Sequence, residues 1–186
     1  MGREQEKVRD ARLVDRTLAG DMRAFEELMQ CYQRPVFDVA FRMLQDRETS
    51  SDITQSTFLA AFEKLGTYDS DYKFFSWIYR IAINQTLDYT RRNRVAETSA
   101  HLTVVEEQTE GPDSELADER TSVLVRKLLD DLQEDHQTVL VLRHYSELSY
   151  EEIAEVLEIP IKTVKSRLYS ARQVLKSRLQ ESGYDL

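Results

Sequence analysis

The chain of 186 residues is long enough for one or two small domains, and its 5 Gly and 3 Pro are typical of a mostly helical protein. No apolar run approaches the length of a membrane span, and the N-terminus lacks the apolar core of a signal peptide. We therefore expect a cytoplasmic protein without membrane insertion. Cys31 is the single cysteine, which excludes an intrachain disulfide, and its apolar neighbours predict a buried thiol.

The net charge of −9 is concentrated in one stretch of the chain. Residues 95–119 contain eight acidic residues and no Lys or Arg, with few apolar side chains. We predict that residues 95–118 are an acidic flexible linker between two small helical domains, 1–94 and 119–186. The fold class is thus predicted to be all-α. Because the local field decides where nucleic acid binds, the overall acidity does not exclude DNA binding.

Helical spacing of apolar residues organises the first domain. It predicts a first helix ending at Gly20, a second helix capped by Asp21, and a new helical start with Pro35 in its first turn. Thr49, which has a carboxylate three residues later, is the predicted cap of the next helix. Gly66 is predicted to end that helix. These elements form a compact helical domain.

An aromatic loop from Thr67 to Phe74 follows and leads into a basic helix from about Ser76 to Arg94. Aromatic rings stack on unpaired bases while Lys and Arg hold the backbone, so this segment is a candidate single-strand site. Tyr68, Tyr72 and Phe74 are expected to be exposed, whereas Trp77 has the position of a core residue. Asn84 either reads a base edge or is a buried hydrogen-bonding residue. The candidate residues are Tyr68, Tyr72, Lys73, Phe74, Trp77, Arg80, Asn84, Arg91 and Arg92.

The segment from Leu148 to Leu179 carries the clearest pattern in the chain. Ser149 followed by Glu152 fits a capping box, and Pro160 ends the short helix that it starts. The longer helix after it has six basic residues and no acidic one up to Gln180. A short helix, a tight turn and a basic second helix are typical of a helix-turn-helix that enters the major groove. Its candidate DNA contacts are Lys162, Thr163, Lys165, Ser166, Arg167 and Arg172.

Two further helices are predicted to brace the helix-turn-helix, one starting near Glu119 and one from Glu134 to Tyr145 with Tyr145 facing inward. No catalytic arrangement is apparent in the sequence. The three His residues are not spaced with carboxylates as metal ligands, and there is neither a Gly-rich phosphate loop nor a nucleophile elbow. We expect a binding protein that is not an enzyme and that uses no metal and no cofactor.

Three segments occur in an order and spacing that resemble the extracytoplasmic-function (ECF) group of bacterial sigma factors. They read SDITQSTFLAAFEKL, FFSWIYRIAINQTLDYTRR and LVLRHYSELSYEEIAEVLEIPIKTVKSRLYSARQVLK, and the resemblance runs from about Leu13 to Leu179. It implies a sigma factor that binds core RNA polymerase and directs promoter recognition, DNA melting and transcription initiation. The family also suggests, as a hypothesis, an anti-sigma factor that masks the polymerase-binding face.

The resemblance implies roles for particular residues. Asp52, Ile53, Gln55 and Phe58 fall in the motif that binds the clamp helices of the largest polymerase subunit. The aromatic loop matches the loop that captures a flipped non-template base at the minus-10 element, and Asn84 falls in a motif of the bordering helix. The second domain matches the minus-35 reader, which also meets the flap of the second-largest subunit.

The sequence departs from the family pattern in two places. Asp69 and Asp71 partly replace the small and basic residues that are usual in the capture loop, and Glu158 stands where the family often has Gly. Two other classes of protein are considered. A stand-alone helix-turn-helix regulator of duplex operators explains the second domain but not the aromatic loop. A pure protein-interaction adaptor predicts no salt-dependent DNA affinity.

Overall fold

The computed structural model describes residues 3–99 and 132–181, with side chains described for residues 5–94 and 132–181. The chain divides into two compact units, Met1–Leu102 and Thr103–Leu186. Within the described residues every regular element is helical, which confirms the all-α prediction. Residues 100–118 of the predicted linker and the predicted helix near Glu119 lie outside the described residues.

Among its described residues, the first unit contains four helices and one short 3-10 turn. In chain order they are α1 (Arg3–Leu18), α2 (Met22–Leu44), α3 (Arg47–Glu63), the 3-10 turn (Leu65–Thr67) and α4 (Phe74–Ser99). The α3 helix therefore ends before Gly66, and α4 extends into the first residues assigned to the linker. The α2 helix packs against α1, α3 and α4, so the core of this unit is arranged around it.

The α2 helix is continuous through Pro35, and the predicted helix start at this residue is wrong. A proline inside a helix removes one backbone hydrogen bond and crowds the carbonyl of the preceding turn. Fully buried Leu28 before it and fully buried Val36 after it keep both halves of α2 in one core, and this packing offsets the local cost. Cys31 is exposed on the outward side of α2, so the predicted buried thiol is also wrong.

Aspartates cap two helices of the first unit. Asp21 caps α2 as predicted, because its carboxylate accepts a hydrogen bond from the Arg23 N–H at 3.1 Å. The cap of α3 is Asp46, which accepts from the Thr49 N–H at 2.6 Å. The prediction of Thr49 as the cap is therefore wrong: extended backbone at Asp46 starts the helix one turn earlier.

A buried carboxylate links α1 to α2. The Asp10 side chain is buried, accepts a hydrogen bond from the Tyr32 hydroxyl and pairs with the Arg9 guanidinium at 2.6 Å. Burial, followed by the bond to Asp10, raises the pKa of Tyr32 far above its usual value, so the phenol stays protonated and can donate. The Asp10–Tyr32 hydrogen bond sets the position of α1 along α2, because it is directional and apolar contacts are not.

The second unit has three described helices, α5 (Glu134–His144), α6 (Tyr150–Leu157) and α7 (Ile161–Glu181), and α7 packs on both of the others. The capping box of α6 is confirmed: the Ser149 hydroxyl accepts from the Glu152 N–H at 3.1 Å, and the Glu152 carboxylate accepts from the Ser149 N–H at 2.9 Å. Tyr145 is exposed, so its predicted inward orientation is wrong. Fully buried Val141, one turn earlier, contributes to the core instead.

Glu158 ends α6 in the left-handed region, with φ 53° and ψ 41°. The Ile159 N–H donates to the Ala154 carbonyl at 3.1 Å across this residue, which closes the helix end as in a Schellman motif. The left-handed conformation costs a residue with a Cβ roughly 1–2 kcal/mol, a cost that Gly avoids. The helix-turn-helix prediction is confirmed, and its turn carries local strain at Glu158.

We expect Tyr32→Phe to lower the free energy of unfolding of the first unit by about 1–3 kcal/mol, because buried Asp10 loses a donor. Denaturant titration followed by fluorescence of Trp77, the single tryptophan, measures this unit. Tyr72→Phe, which removes a hydroxyl from an exposed ring, is the matched control and should be nearly neutral. Equal stability of both variants would contradict a structural role for the Asp10–Tyr32 bond.

We expect Glu158→Gly to stabilise the second unit by about 1 kcal/mol, because Gly adopts the left-handed region without strain. Amide hydrogen exchange in α6 and α7 should slow accordingly. Glu155→Gly, inside α6 with helical backbone, is the control and should destabilise by about the same amount. Faster exchange in the Glu158→Gly variant would show that the turn is not strained.

Candidate nucleic-acid interfaces

The aromatic loop is anchored by Phe74, which is fully buried. Its ring centroid lies 5.4 Å from Tyr32, 5.4 Å from Tyr68 and 5.6 Å from Trp77. The prediction that Phe74 is exposed is therefore wrong. The signal for its burial was present in the sequence, because Phe74 and fully buried Ile78 lie one helical turn apart on the inner face of α4.

Three other rings remain accessible around this anchor. Tyr72 is exposed as predicted, and Tyr68 is half-buried. Trp77, predicted to be core, is also only half-buried, with its ring centroid 5.7 Å from that of Tyr68. Lys73 places its ammonium 5.5 Å from the ring centroid of Phe75, beside the same loop. The arrangement offers apolar faces and a positive charge together, which suits an unpaired base and its phosphate.

Hydrogen bonds hold the loop in one conformation. The Tyr68 hydroxyl donates to the Tyr72 carbonyl at 2.8 Å, and the Asp69 carboxylate accepts from the Asp71 N–H at 2.9 Å. The Lys7 ammonium on α1 donates to the Asp71 carbonyl at 2.8 Å. Sequence reasoning missed Lys7, because no local pattern signals a contact across 64 residues. The two acidic residues of the loop thus contribute to its internal structure.

The outer face of α4 continues this surface. Asn84 is exposed, so of its two interpretations the buried one is wrong and a base contact stays a prediction. Arg91 and Arg92 are exposed, with Arg91 within 3.9 Å of Asp88, while Arg80 is half-buried. The exposed arginines lie near the end of a long helix, where phosphate contacts can set the register of a strand.

The predicted polymerase contacts on α3 divide into two groups. Asp52 and Gln55 are exposed, whereas Ile53 and Phe58 are buried in the core of the unit. Ile53 therefore supports the helix and does not present its side chain at the surface. Phe58 lines the floor of a groove of about 340 Å³ between α2 and α3, where Met29 is on the α2 side.

Sequence reasoning missed two apolar residues on the exposed face of α3. Leu59 is 62% exposed and Phe62 is 40% exposed. They follow Gln55 at intervals of four and three residues, so all three lie on one side of the helix. The Phe62 ring also packs edge-on against Phe25, with centroids 5.1 Å apart, which fixes its position. The spacing alone would have revealed this exposed face.

The helix-turn-helix presents one cationic face of α7. Val164, Leu168 and Ala171 form its buried stripe. Of the predicted DNA contacts, Thr163 and Arg167 are half-buried and the others are exposed: Lys162, Lys165, Ser166 and Arg172. Tyr169, which is 66% exposed, was missed. It lies one turn from both Lys165 and Arg172 and can offer a hydroxyl to a phosphate or a ring to a thymine methyl.

Two titratable groups near this face are influenced by charges within the unit. The Arg167 guanidinium lies 2.5 Å from the Asp135 carboxylate of α5. The pKa of His144 is lowered, first by partial desolvation and then by the charges of Arg172 and Arg143. The neutral imidazole is therefore favoured at pH 7, and the positive charge of this face comes from its Lys and Arg side chains.

Other kinds of site find no support in the part of the chain that the structure describes. There, no group of His, Cys, Asp and Glu is arranged to hold a metal ion. None of the helices described is both long enough and apolar enough to cross a membrane. The described residues thus form a helical protein with two candidate nucleic-acid faces, one that combines aromatic rings with basic residues and one on a cationic helix.

Two family models match the chain, in the order of its two units. Sigma-70 region 2 matches residues 28–95, which contain the aromatic loop and most of α4. Sigma-70 region 4 matches residues 122–175, which contain α6 and most of α7. The first model covers the segment that a stand-alone helix-turn-helix regulator leaves unexplained, so that alternative is not favoured.

Relatives of known function agree with these models. The RNA polymerase sigma-H factor of Pseudomonas aeruginosa is 32% identical over 92% of this chain and 94% of its own length. The ECF sigma factor SigW of Bacillus subtilis is 31% identical over 87% of this chain and 92% of its own. The ECF sigma-E factor of Haemophilus influenzae is 30% identical over 94% and 97%. The chain belongs to the ECF group of RNA polymerase sigma factors.

Solved structures share the fold. CnrH, in complex with the cytosolic domain of CnrY, superposes with a TM-score of 0.70 at 24% identity, covering 95% of this chain and 97% of that chain. The sigma factor RpoE of Bartonella quintana, in complex with the anti-sigma factor NepR, gives a TM-score of 0.70 at 20% identity, covering 84% and 96%. At these identities the likeness supports the fold alone.

We expect Asp135→Asn to raise the affinity of the full chain for duplex DNA at low salt by up to about fivefold, because Arg167 is released for phosphate contact. Fluorescence anisotropy at low and high salt measures this change, which salt should reduce. Glu134→Gln, which removes the adjacent acidic charge on α5, is the matched control. Equal gains in both variants would assign the effect to net charge and contradict a role for the Arg167–Asp135 pair.

Proposed function

We propose that this sigma factor docks on core RNA polymerase through α3, captures minus-10 bases with the aromatic loop and α4, and reads the minus-35 element with α7. The observation that carries the proposal is the ordered loop that presents Tyr68 and Tyr72 next to Trp77, at the start of the helix that also carries exposed Asn84 two turns further on. A protein that binds only duplex DNA has no use for such a surface. The proposed role involves binding steps and no covalent chemistry, and it acts in the cytoplasm with the polymerase.

Strand capture rests on the balance of stacking energies. Extruding a base costs a few kcal/mol of lost pairing and stacking. Stacking on an aromatic side chain returns roughly 1–3 kcal/mol per base, so one or two rings suffice to hold an extruded base. Tyr68, Tyr72 and Trp77 supply these rings, and Lys73 with Arg91 and Arg92 supplies charge for the backbone. Arg80 and Asn84 are the proposed contacts on the face of α4.

Duplex recognition is assigned to the exposed face of α7. Lys162, Lys165 and Arg172 are placed to neutralise phosphates, while Thr163 and Ser166 are short enough for base edges near the start of the helix. Phosphate contacts supply affinity and register, and base-edge contacts supply sequence preference. In this proposal the second unit also meets the flap of the second-largest polymerase subunit.

Polymerase docking is assigned to the exposed face of α3 and the groove beside it. Asp52 and Gln55 offer polar contacts, and Leu59 with Phe62 adds an apolar surface. Complete burial of one exposed leucine contributes about 1.5–3 kcal/mol, which makes this surface a strong contributor to docking on the clamp helices. Phe58 takes part from the floor of the groove.

We further propose that an anti-sigma factor binds this chain and competes with the polymerase. The support is the fold shared with the sigma factor RpoE, whose structure is a complex with the anti-sigma factor NepR. An apolar surface with Leu59 and Phe62 is suited to burial by either partner. Co-purification of the chain from its host tests this point directly.

We expect Leu59→Ser to weaken binding to cognate core polymerase by about 10- to 100-fold, which corresponds to losing the burial of one leucine side chain. Fluorescence competition against the unmodified chain measures the affinity. Val8→Ser is the matched control, because Val8 is a similarly exposed residue on α1 and should change nothing.

Transcription by core polymerase loaded with the unmodified chain tests the function itself. Promoter-specific transcripts are expected, and their start sites identify the promoters. If the chain neither binds the polymerase nor directs initiation, the proposed function is wrong. If it does both and Leu59→Ser binds normally, only the assigned docking face is wrong.

A further inference from the structure

The α3 and α4 helices are joined by a clasp of hydrogen bonds at Gln85. The Gln85 side-chain oxygen accepts from the Ser56 hydroxyl at 2.8 Å and from the Thr57 hydroxyl at 3.2 Å. The Gln85 side-chain nitrogen donates to the Ser56 backbone carbonyl at 3.3 Å. One side chain of α4 is thus tied to two consecutive residues of α3 by its oxygen and its nitrogen together.

The clasp lies at the surface, between exposed Ser56 and half-buried Gln85, and each of these residues is next in sequence to a residue of a proposed binding face. Ser56 follows Gln55, which is exposed on the polymerase-docking face of α3. Gln85 follows Asn84, which is exposed on the strand-facing side of α4. The clasp therefore joins the two proposed interfaces: one residue of each interface is the sequence neighbour of a residue in the clasp, and the two clasp residues are hydrogen-bonded to each other.

A further side-chain hydrogen bond joins α3 to α4 near the start of α3, where the Thr49 and Tyr89 hydroxyls lie 3.3 Å apart. Other polar side chains beside the clasp bond within their own helices. The Thr54 hydroxyl donates to the Ser50 carbonyl at 2.7 Å, and the Thr86 hydroxyl donates to the Ala82 carbonyl at 2.8 Å, each within its own helix. Packing of small apolar side chains constrains the separation of two helices but tolerates small sliding. Directional hydrogen bonds fix the register along the helix axes.

We infer that Gln85 is a positioning residue, which holds the strand-facing side of α4 in register with the polymerase-docking face of α3. The inference rests on the proposed function. In that proposal, docking on the polymerase uses α3 and the groove beside it, and base capture uses the aromatic loop and α4. Promoter opening by the holoenzyme needs both faces at once in a fixed relation, so it is the step that depends on the clasp.

The test compares Gln85→Met with the unmodified chain, because Met keeps the length of the side chain and removes both polar atoms. We expect the affinity for core polymerase to stay within twofold, while the rate of open-complex formation on duplex promoters falls at least fivefold. Ser56→Ala, which removes one donor from the other side of the clasp, should give a smaller loss. Combined with Gln85→Met it should add no further loss.

Two further variants separate positioning from stability. Gln85→Glu keeps oxygen acceptors for both hydroxyls and should retain more opening activity than Gln85→Met. Gln5→Met, at an exposed glutamine of α1, should behave as the unmodified chain. A normal rate of open-complex formation by Gln85→Met overturns the inference. A parallel loss of polymerase affinity and of this rate also overturns it. An equal loss of this rate in Gln85→Met and Gln85→Glu is the third contradicting outcome. Failure of the unmodified chain itself would instead overturn the proposed function.

Discussion

Burial of Phe74 is the contact on which the proposed single-strand face depends. Its ring reaches Tyr32 on the central helix and supports Tyr68 and Trp77 at the surface. Ordering a free backbone costs roughly 1–2 kcal/mol per residue, so a loop that became ordered only on DNA would lose much of the stacking energy. Phe74 and the hydrogen bonds within the loop order the loop before DNA binds. The proposed base capture therefore does not have to supply the free energy of ordering the loop.

In the proposed function the two units bind different forms of DNA, and their surfaces differ in charge distribution and shape. The first unit combines rings with scattered arginines, which suits strands whose bases are turned outward. The second unit presents the exposed cationic face of α7, which suits the major groove of duplex DNA. A net charge of −9 is compatible with both faces, because residues 95–119 carry eight acidic residues and no basic one. The acidic stretch thus lies, in sequence, outside the residues of both candidate DNA faces, and it repels DNA from that part of the chain.

Much of the fold follows from local sequence patterns, since the capping box at Ser149 and the buried stripe of α7 depend on neighbours within one or two turns. The errors have two causes. Pro35 stays inside α2 because three other helices pack on it, which no local pattern shows. The burial of Phe74 and the cap at Asp46 had local signals that were not used, the spacing of Phe74 to Ile78 and an aspartate one turn before Thr49. Lys7 and the clasp at Gln85 could not be predicted, because each joins residues with no local signal.

Photocrosslinking from position 72 tests the central claim most directly, because Tyr72 is exposed at the aromatic loop. A photoreactive phenylalanine analogue there should retain the ring and report which DNA strand touches it in the open complex. The account predicts crosslinks to the non-template strand of the minus-10 element, and none before the duplex opens. Crosslinks only to closed duplex, or only to the template strand, would contradict it.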